Sequence, residues 1–263
     1  MEVWKTVLLG IVEGLTEFLP VSSTGHMILV GHWVDFPAQL AKTFDVFIQL
    51  GAILAVVLYY RSRLVAWVRS YSLKDPLSNP IVLVFVAFLP AAAVGLFAHK
   101  AIQQYLFFPV PVACALILGG IAIELIERSH PKGQTTSVEE MNLSQAVRIG
   151  LFQCLALFPG VSRSAATIMG GLLVGLSLPA ATEFSFFLAI PTMVAASGYS
   201  LLKVRNQISQ AELWQLGLGF VVAFLTALPV VAGFVRWVQS HSFRPFVIYR
   251  IVLGILVLVV LAG

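Results

Sequence analysis

This chain is poor in charge, in cysteine and in polar linkers. Only 11% of its 263 residues are Asp, Glu, Lys or Arg, whereas soluble domains average about 25%. That shortage excludes an ordinary water-facing globular surface. The two cysteines, Cys114 and Cys154, lie far apart in apolar surroundings. They exclude a disulfide framework and read as small buried side chains, not a metal site. No basic cluster is interleaved with aromatics, so the net charge of +4 points to positive loops at an anionic membrane face and to no nucleic-acid partner. The first apolar run is interrupted by Glu13 and Glu17 and lacks a small-residue cleavage site. It does not read as a cleaved signal peptide.

Hydrophobicity is abundant instead. Apolar residues make up 59% of the chain, and mean hydropathy is +0.94. Six windows (Val46–Tyr60, Ile81–Ala98, Val110–Ile126, Phe184–Leu202, Leu216–Val235 and Phe246–Ala262) approach or exceed the ~18–20 residues of a membrane span. The fold expected is an all-α integral membrane protein.

The chain also repeats itself at an offset of 140. EGLTEFLPVSST, residues 13–24, falls on QCLALFPGVSRS, residues 153–164, without a gap. Gly31, Phe44, Phe47 and Ala55 then meet Gly171, Phe184, Phe187 and Ala195. In each half an apolar piece too short to span (Val3–Leu19; Leu143–Phe158) runs into a Pro or Pro-Gly. A Ser-rich turn follows, then a second short piece (Thr24–Val34; Ser164–Leu176). Pro disfavours helix before it, and Ser or Thr caps the helix after it, so each pair reads as a helical hairpin broken within the membrane. Three spans follow in each half, at about 41–60, 80–99 and 110–127, and at about 181–203, 212–236 and 246–262.

The expected organisation is a first repeat over residues 1–127, a solvated cytoplasmic linker over 128–142 and a second repeat over 143–263. A hairpin plus three spans ends on the opposite face, which makes the repeats inverted in topology. Arg61, Arg63, Arg69, Lys74, Arg128, Lys132, Arg148, Arg236 and Arg244 fall on one face. Lys5, Lys42, Lys100, Lys203 and Arg205 fall on the face where the first hairpin opens. The positive-inside rule makes the richer face cytoplasmic.

Chemistry is expected where the two broken tips meet. Helix starts at Ser22–Thr24 and Ser162–Ser164 point unpaired N–H groups and positive dipole ends at a shared cavity. Arg163 is costly at membrane depth, and its planar fork suits a phosphate. The alternative is a structural pair with Glu13 or Glu17. Those two acids are four apart on one helix face and need a proton, an arginine or a divalent cation between them; Gln153 and Leu157 replace them in the second half. Ser23 and His26, three apart, form a minimal hydroxyl–base pair, unless the hydroxyls only cap the helix. Asp45 and Gln49 share a face and either line the cavity or bond each other. Glu183, Tyr249 and Arg250 are as compatible with structure as with function, and His32, His99, His130 and His241 receive no role.

EGLTEFLPVSSTGH (13–26) and PGVSRSAAT (159–167) resemble the two signature motifs of the undecaprenyl-pyrophosphate phosphatases, the bacitracin-resistance proteins of bacterial membranes. KTFDVFIQLGAILAVV (42–57) and PFVIYR (245–250) extend the resemblance over nearly the whole chain. The Lys-Arg-Pro motif of the acid-phosphatase superfamily is missing. The resemblance implies a multi-pass enzyme of the bacterial inner membrane, its site open to the periplasm. It would remove the terminal phosphate of undecaprenyl pyrophosphate, recycle the cell-wall lipid carrier and confer tolerance of bacitracin. Ser23, His26, Glu17 and Arg163 become the expected catalytic residues. Ser22, Thr24, Ser162, Ser164, Thr167 and Gly160 are expected to bind the diphosphate, and Glu13 with Glu17 to hold Mg²⁺ or Ca²⁺. A homodimer is compatible with this expectation. A carrier or flippase for an anionic lipid is the competing expectation, because broken helices in inverted repeats also mark transporters.

Overall fold

The computed structural model describes residues 2–36, 38–106, 108–129, 133–204 and 210–261. Eleven α-helices lie among them: α1 (Val3–Thr16), α2 (Ser23–Trp33), α3 (Ala38–Tyr59), α4 (Arg61–Arg69), α5 (Pro80–Tyr105), α6 (Pro109–Ser129), α7 (Leu143–Gln153), α8 (Arg163–Leu173), α9 (Leu178–Val204), α10 (Gln210–Trp237) and α11 (Arg244–Leu261). Among the described residues four helical stretches are long and apolar enough to cross a membrane: Pro80–Ala98, Pro109–Ser129, Leu178–Lys203 and Glu212–Trp237. A fifth is added if Thr43–Tyr59 and Arg61–Arg69, bent by 70° at their junction, count as one span. The chain is an all-helical, multi-pass membrane protein. Lys42, Lys100, His99 and Arg205, and also His130 and Lys132, have side chains outside what is described.

Local sequence explains the helix boundaries. Pro80 and Pro109 open α5 and α6, where the missing N–H is no loss. Asn142 and Gln145 cap α7 reciprocally, each side chain 3.0 Å from the other's backbone nitrogen. In each half two short helices meet across a serine-bearing turn, α1 with α2 and α7 with α8. The second differs from expectation, because its leading helix stops at Gln153 and tightens into a 3₁₀ turn, Cys154–Leu157.

The helices interlock across the halves. α1 packs on α10, while α7 packs on α5; α3 meets both α9 and α10, and α6 pairs with α11. Small residues permit these approaches, as they do generally between helices in lipid. A Cβ on Gly51 would sit 2.2 Å from the Phe220 carbonyl oxygen, and one on Gly150 would sit 2.3 Å from that of Ala87. Phe18, Phe184, Phe186 and Phe187 are fully buried at the centre.

Three expectations are corrected. Arg61–Arg69, outside every expected span, is helical: it buries Trp67, and Arg63 bonds Glu139 on one side and Glu183 on the other, both at 2.6 Å. The linker is not simply solvated. Val138 and Met141 are buried, and Thr135 bonds the backbone of Gly175 and Ser177. The Arg63 guanidinium holds the Glu139 carboxyl below the usual carboxylate range, which ties the linker to α4. Cys114 is exposed on α6 instead of buried, because α6 turns its other face to α11.

Candidate active site

Each elbow is built on a serine in an unusual backbone conformation. Ser22 has φ 69° and Ser162 φ 75°, both in the region L-residues rarely adopt. Each Oγ accepts from the third amide of the helix it starts: Gly25 N at 3.4 Å and Ala165 N at 3.3 Å. The first two amides of α2 and of α8 have no intrahelical partner and stay at the elbow. Gly160 is required in the second elbow, where φ is +92° and a Cβ would lie 2.4 Å from the Val112 carbonyl oxygen.

The two elbows touch. Ser164 Oγ donates to the Leu19 carbonyl at 2.8 Å. Glu17 bridges them: Oε2 accepts from Ser23 Oγ at 2.5 Å, and Oε1 accepts from Arg163 Nη2 at 3.3 Å. Arg163 Nη1 donates to the Ser185 carbonyl at 2.8 Å, and its Nε is buried without a hydrogen-bond partner. Thr167 Oγ1 donates to the Arg163 carbonyl at 2.8 Å and lies 2.7 Å from Ser185 Oγ. One hydroxyl, one carboxylate and one guanidinium thus stand in a row, fixed from three helices.

A cavity of about 540 Å³ opens on this row. Glu17, Ser22, Ser23, Thr24, Gly160, Ser162 and Arg163 line it. Glu13, His26, Ser164 and Thr167 stand behind that lining. Glu13 has an Oε1 buried without a partner and lies within electrostatic reach of Glu17 and Asp45. Gln49 lines the cavity and Asp45 does not. His26 turns away from Ser23. Its Nδ1 is 2.8 Å from the Ser22 carbonyl, so it carries the proton there, and Nε2 is 2.6 Å from Tyr249 Oη, which donates to it in the neutral ring.

Sequence reasoning missed two residues. Ser185, which holds both Arg163 and Thr167, is the repeat counterpart of Asp45, and that correspondence was the available signal. Arg250 was left open between structure and function. Fully buried, it donates to the carbonyls of Pro20 in the first elbow (3.0 Å) and of Gly160 (3.1 Å) and Val161 (3.0 Å) in the second. It also bonds the Ala115 and Leu116 carbonyls of α6. No local pattern announces five backbone acceptors for one guanidinium.

Fold and site together define a polytopic membrane protein with a buried, cation-bearing cavity suited to phosphate. The chain belongs to the family described as "Bacitracin resistance protein BacA", whose profile matches residues 6–256. It is 47% identical over 262 residues to "Undecaprenyl-diphosphatase 3" of Acinetobacter baylyi, covering 99% of this chain and 98% of that protein. It is 51% identical over 254 residues to the "Undecaprenyl-diphosphatase" of Nitrosomonas europaea (97% and 93%), and 48% identical over 259 residues to that of a Thermoanaerobacter species (98% and 96%).

Proposed function

We propose that this protein hydrolyses undecaprenyl pyrophosphate to undecaprenyl phosphate and phosphate in the bacterial inner membrane. It thereby recycles the lipid carrier of cell-wall synthesis and confers bacitracin resistance. The observation that carries the reaction is the Ser23–Glu17–Arg163 row at the cavity wall. Near-full-length identity to proteins named for this activity supports the substrate.

Glu17 is within reach to take the Ser23 proton as Oγ attacks the terminal phosphorus. The bond to the bridging oxygen breaks, and prenyl monophosphate departs with the proton that Glu17 took from Ser23, which leaves Glu17 a carboxylate again. Water, its proton taken by Glu17, then cleaves the phosphoserine and frees phosphate. Arg163 Nε and the free amides of both elbows hold the phosphoryl oxygens where charge develops. Direct attack by water, with Ser23 only positioning, is the competing route; a trapped phosphoserine separates the two. His26 acts through the elbow backbone, because its ring bonds Ser22 and Tyr249.

The residues fit a divalent cation. Among the described residues no three acidic, His or Cys side chains cluster, but the orphaned Glu13 Oε1 beside Glu17 is the hard oxygen donor that Mg²⁺ or Ca²⁺ takes alongside substrate oxygens and water. Glu13 and Glu17 would hold the ion, which would neutralise phosphate charge.

The cavity and the charge bias support an orientation with the site open to the periplasm. The C-terminal halves of α5 and α9 line the cavity at Gly95, Leu96, Tyr199 and Ser200, on the face poorer in basic residues. We read the halves as inverted repeats, and the packing of α1 on α10 and of α7 on α5 supports that reading. Detergent-purified protein is expected to release phosphate from a prenyl pyrophosphate and to lose that activity with chelator. A flippase or carrier would release none.

A further inference from the structure

Gln153 is a polar cavity residue that the reaction above does not use. It ends α7, is 1% exposed and lines the cavity. Its Nε2 is buried without a hydrogen-bond partner, while Oε1 lies 3.4 Å from Thr192 Oγ1. Turning the amide over would spend one of its two N–H groups on Thr192 and leave the other free. In either orientation one amide N–H of this cavity-lining residue is left without a partner in the protein. An unpaired buried amide is costly unless a ligand takes its hydrogen bond.

Helix α9 gives the position of this donor. Ser185, Thr192 and Tyr199 are seven residues apart and so share a face. At 1.5 Å per residue, successive members lie about 10 Å apart along the axis. Ser185 holds Arg163. Thr192 meets Gln153. Beyond it the lining is apolar, with Ala195, Ala196 and Tyr199 of α9 facing Ala92, Gly95 and Leu96 of α5. The order along the cavity is guanidinium, carboxamide, hydrocarbon. A prenyl diphosphate has the matching order of terminal phosphate, linked phosphate and chain.

We infer that Gln153, oriented by Thr192, is the binding group for the phosphate that remains on the prenyl chain. This deepens the diphosphatase reading and rests on it. The repeat supplies the reason for an amide. The counterpart of Gln153 is Glu13, and a carboxylate at position 153 would repel the anion that the same backbone position is placed to meet.

The test uses full-length protein in detergent and two inhibitors of phosphate release, inorganic phosphate and a short-chain prenyl monophosphate. Wild-type protein that releases no phosphate from prenyl diphosphate overturns the diphosphatase reading before any variant is compared. Given turnover, Gln153→Met is expected to weaken inhibition by prenyl monophosphate roughly tenfold and to leave inhibition by inorganic phosphate unchanged. Equal losses for both inhibitors, or no loss for either, overturn the assignment. Thr192→Val removes the amide's anchor and keeps its donor, so it should give the same selective loss in smaller measure. If Gln153→Met does not fold, Thr192→Val decides the matter by the same comparison.

Discussion

At the first elbow Ser22 sits at φ 69° and caps α2; 140 residues later Ser162 sits at φ 75° and caps α8. The match continues to the helix ends, where Val34 and Val174 have φ −91° and −96° and Asp35 and Gly175 again have positive φ. The side chains on this shared backbone differ. The first elbow carries Glu13, Glu17, Ser23 and His26, where the second carries Gln153, Leu157, Arg163 and Ala166. One backbone solution to breaking a helix thus carries two different sets of side chains. The acid and the hydroxyl sit on one copy, and the cation sits on the other.

Removing the first elbow's chemistry should have the largest effect. Glu17→Gln keeps a hydrogen-bond partner for Ser23 and removes the base, so turnover should fall on the order of a thousandfold, with Ser23→Ala as severe. Adding Leu157→Glu to Glu17→Gln should not restore it, because the residue matching Ser23 in the second elbow is Arg163 and offers no hydroxyl. Phosphate release measures all three; rescue by the double variant would show that the elbows exchange roles. Arg163→Lys comes next. Lys has one compact donor group where Nη1 reaches Ser185, Nη2 reaches Glu17 and Nε is free, so a loss of about a hundredfold or more is expected.

Much of this was legible in the sequence, for a physical reason. Pro followed by hydroxyl residues inside an apolar run has few backbone solutions, so both elbows and the long helices fall near where hydropathy puts them, although of the six expected spans only four, or five with the bent pair, are long and apolar enough to cross a membrane among the described residues. Arg163 stood out because an arginine is expensive in a membrane. Hidden were the groups whose partners are distant in sequence. Ser185 is an ordinary helical serine until Arg163 reaches it. His26 looks like the neighbour of Ser23 by spacing, yet its ring bonds the Ser22 carbonyl and Tyr249, 223 residues away. Arg63, Glu139 and Glu183 tie the linker to α4 and α9 through pairs 76 and 120 residues apart.

Arg250 joins what the repeat separates. Its guanidinium binds carbonyls of both elbows and of α6, so it sets the distance between Ser23 and Arg163 without lining the cavity. Arg250→Lys cannot span these acceptors. Each buried carbonyl left unpaired costs about 1–3 kcal/mol. The variant should lose thermal stability in detergent by several degrees and turnover by about tenfold, because small misplacements at a reacting centre are expensive. Unchanged stability and turnover would show that the elbows hold their spacing without it.

The smallest expected effect tests the backbone match most directly. Glycine adopts positive φ without strain, whereas serine at φ near 70° is held there against its preference. Replacing a capping serine with glycine costs only a few tenths of a kcal/mol, so relief of strain and loss of the cap nearly cancel. Ser22→Gly and Ser162→Gly should therefore shift stability by equal amounts, within about 0.5 kcal/mol of wild type. Ser→Ala keeps the strain and loses the cap, and should cost about 1 kcal/mol at each. Thermal denaturation of the four variants in one detergent reads the comparison. If the two elbows share one backbone, the pairs move together; a shift at Ser22 without its match at Ser162 would show that the first elbow draws its conformation from His26 and Tyr249 instead of from the turn itself.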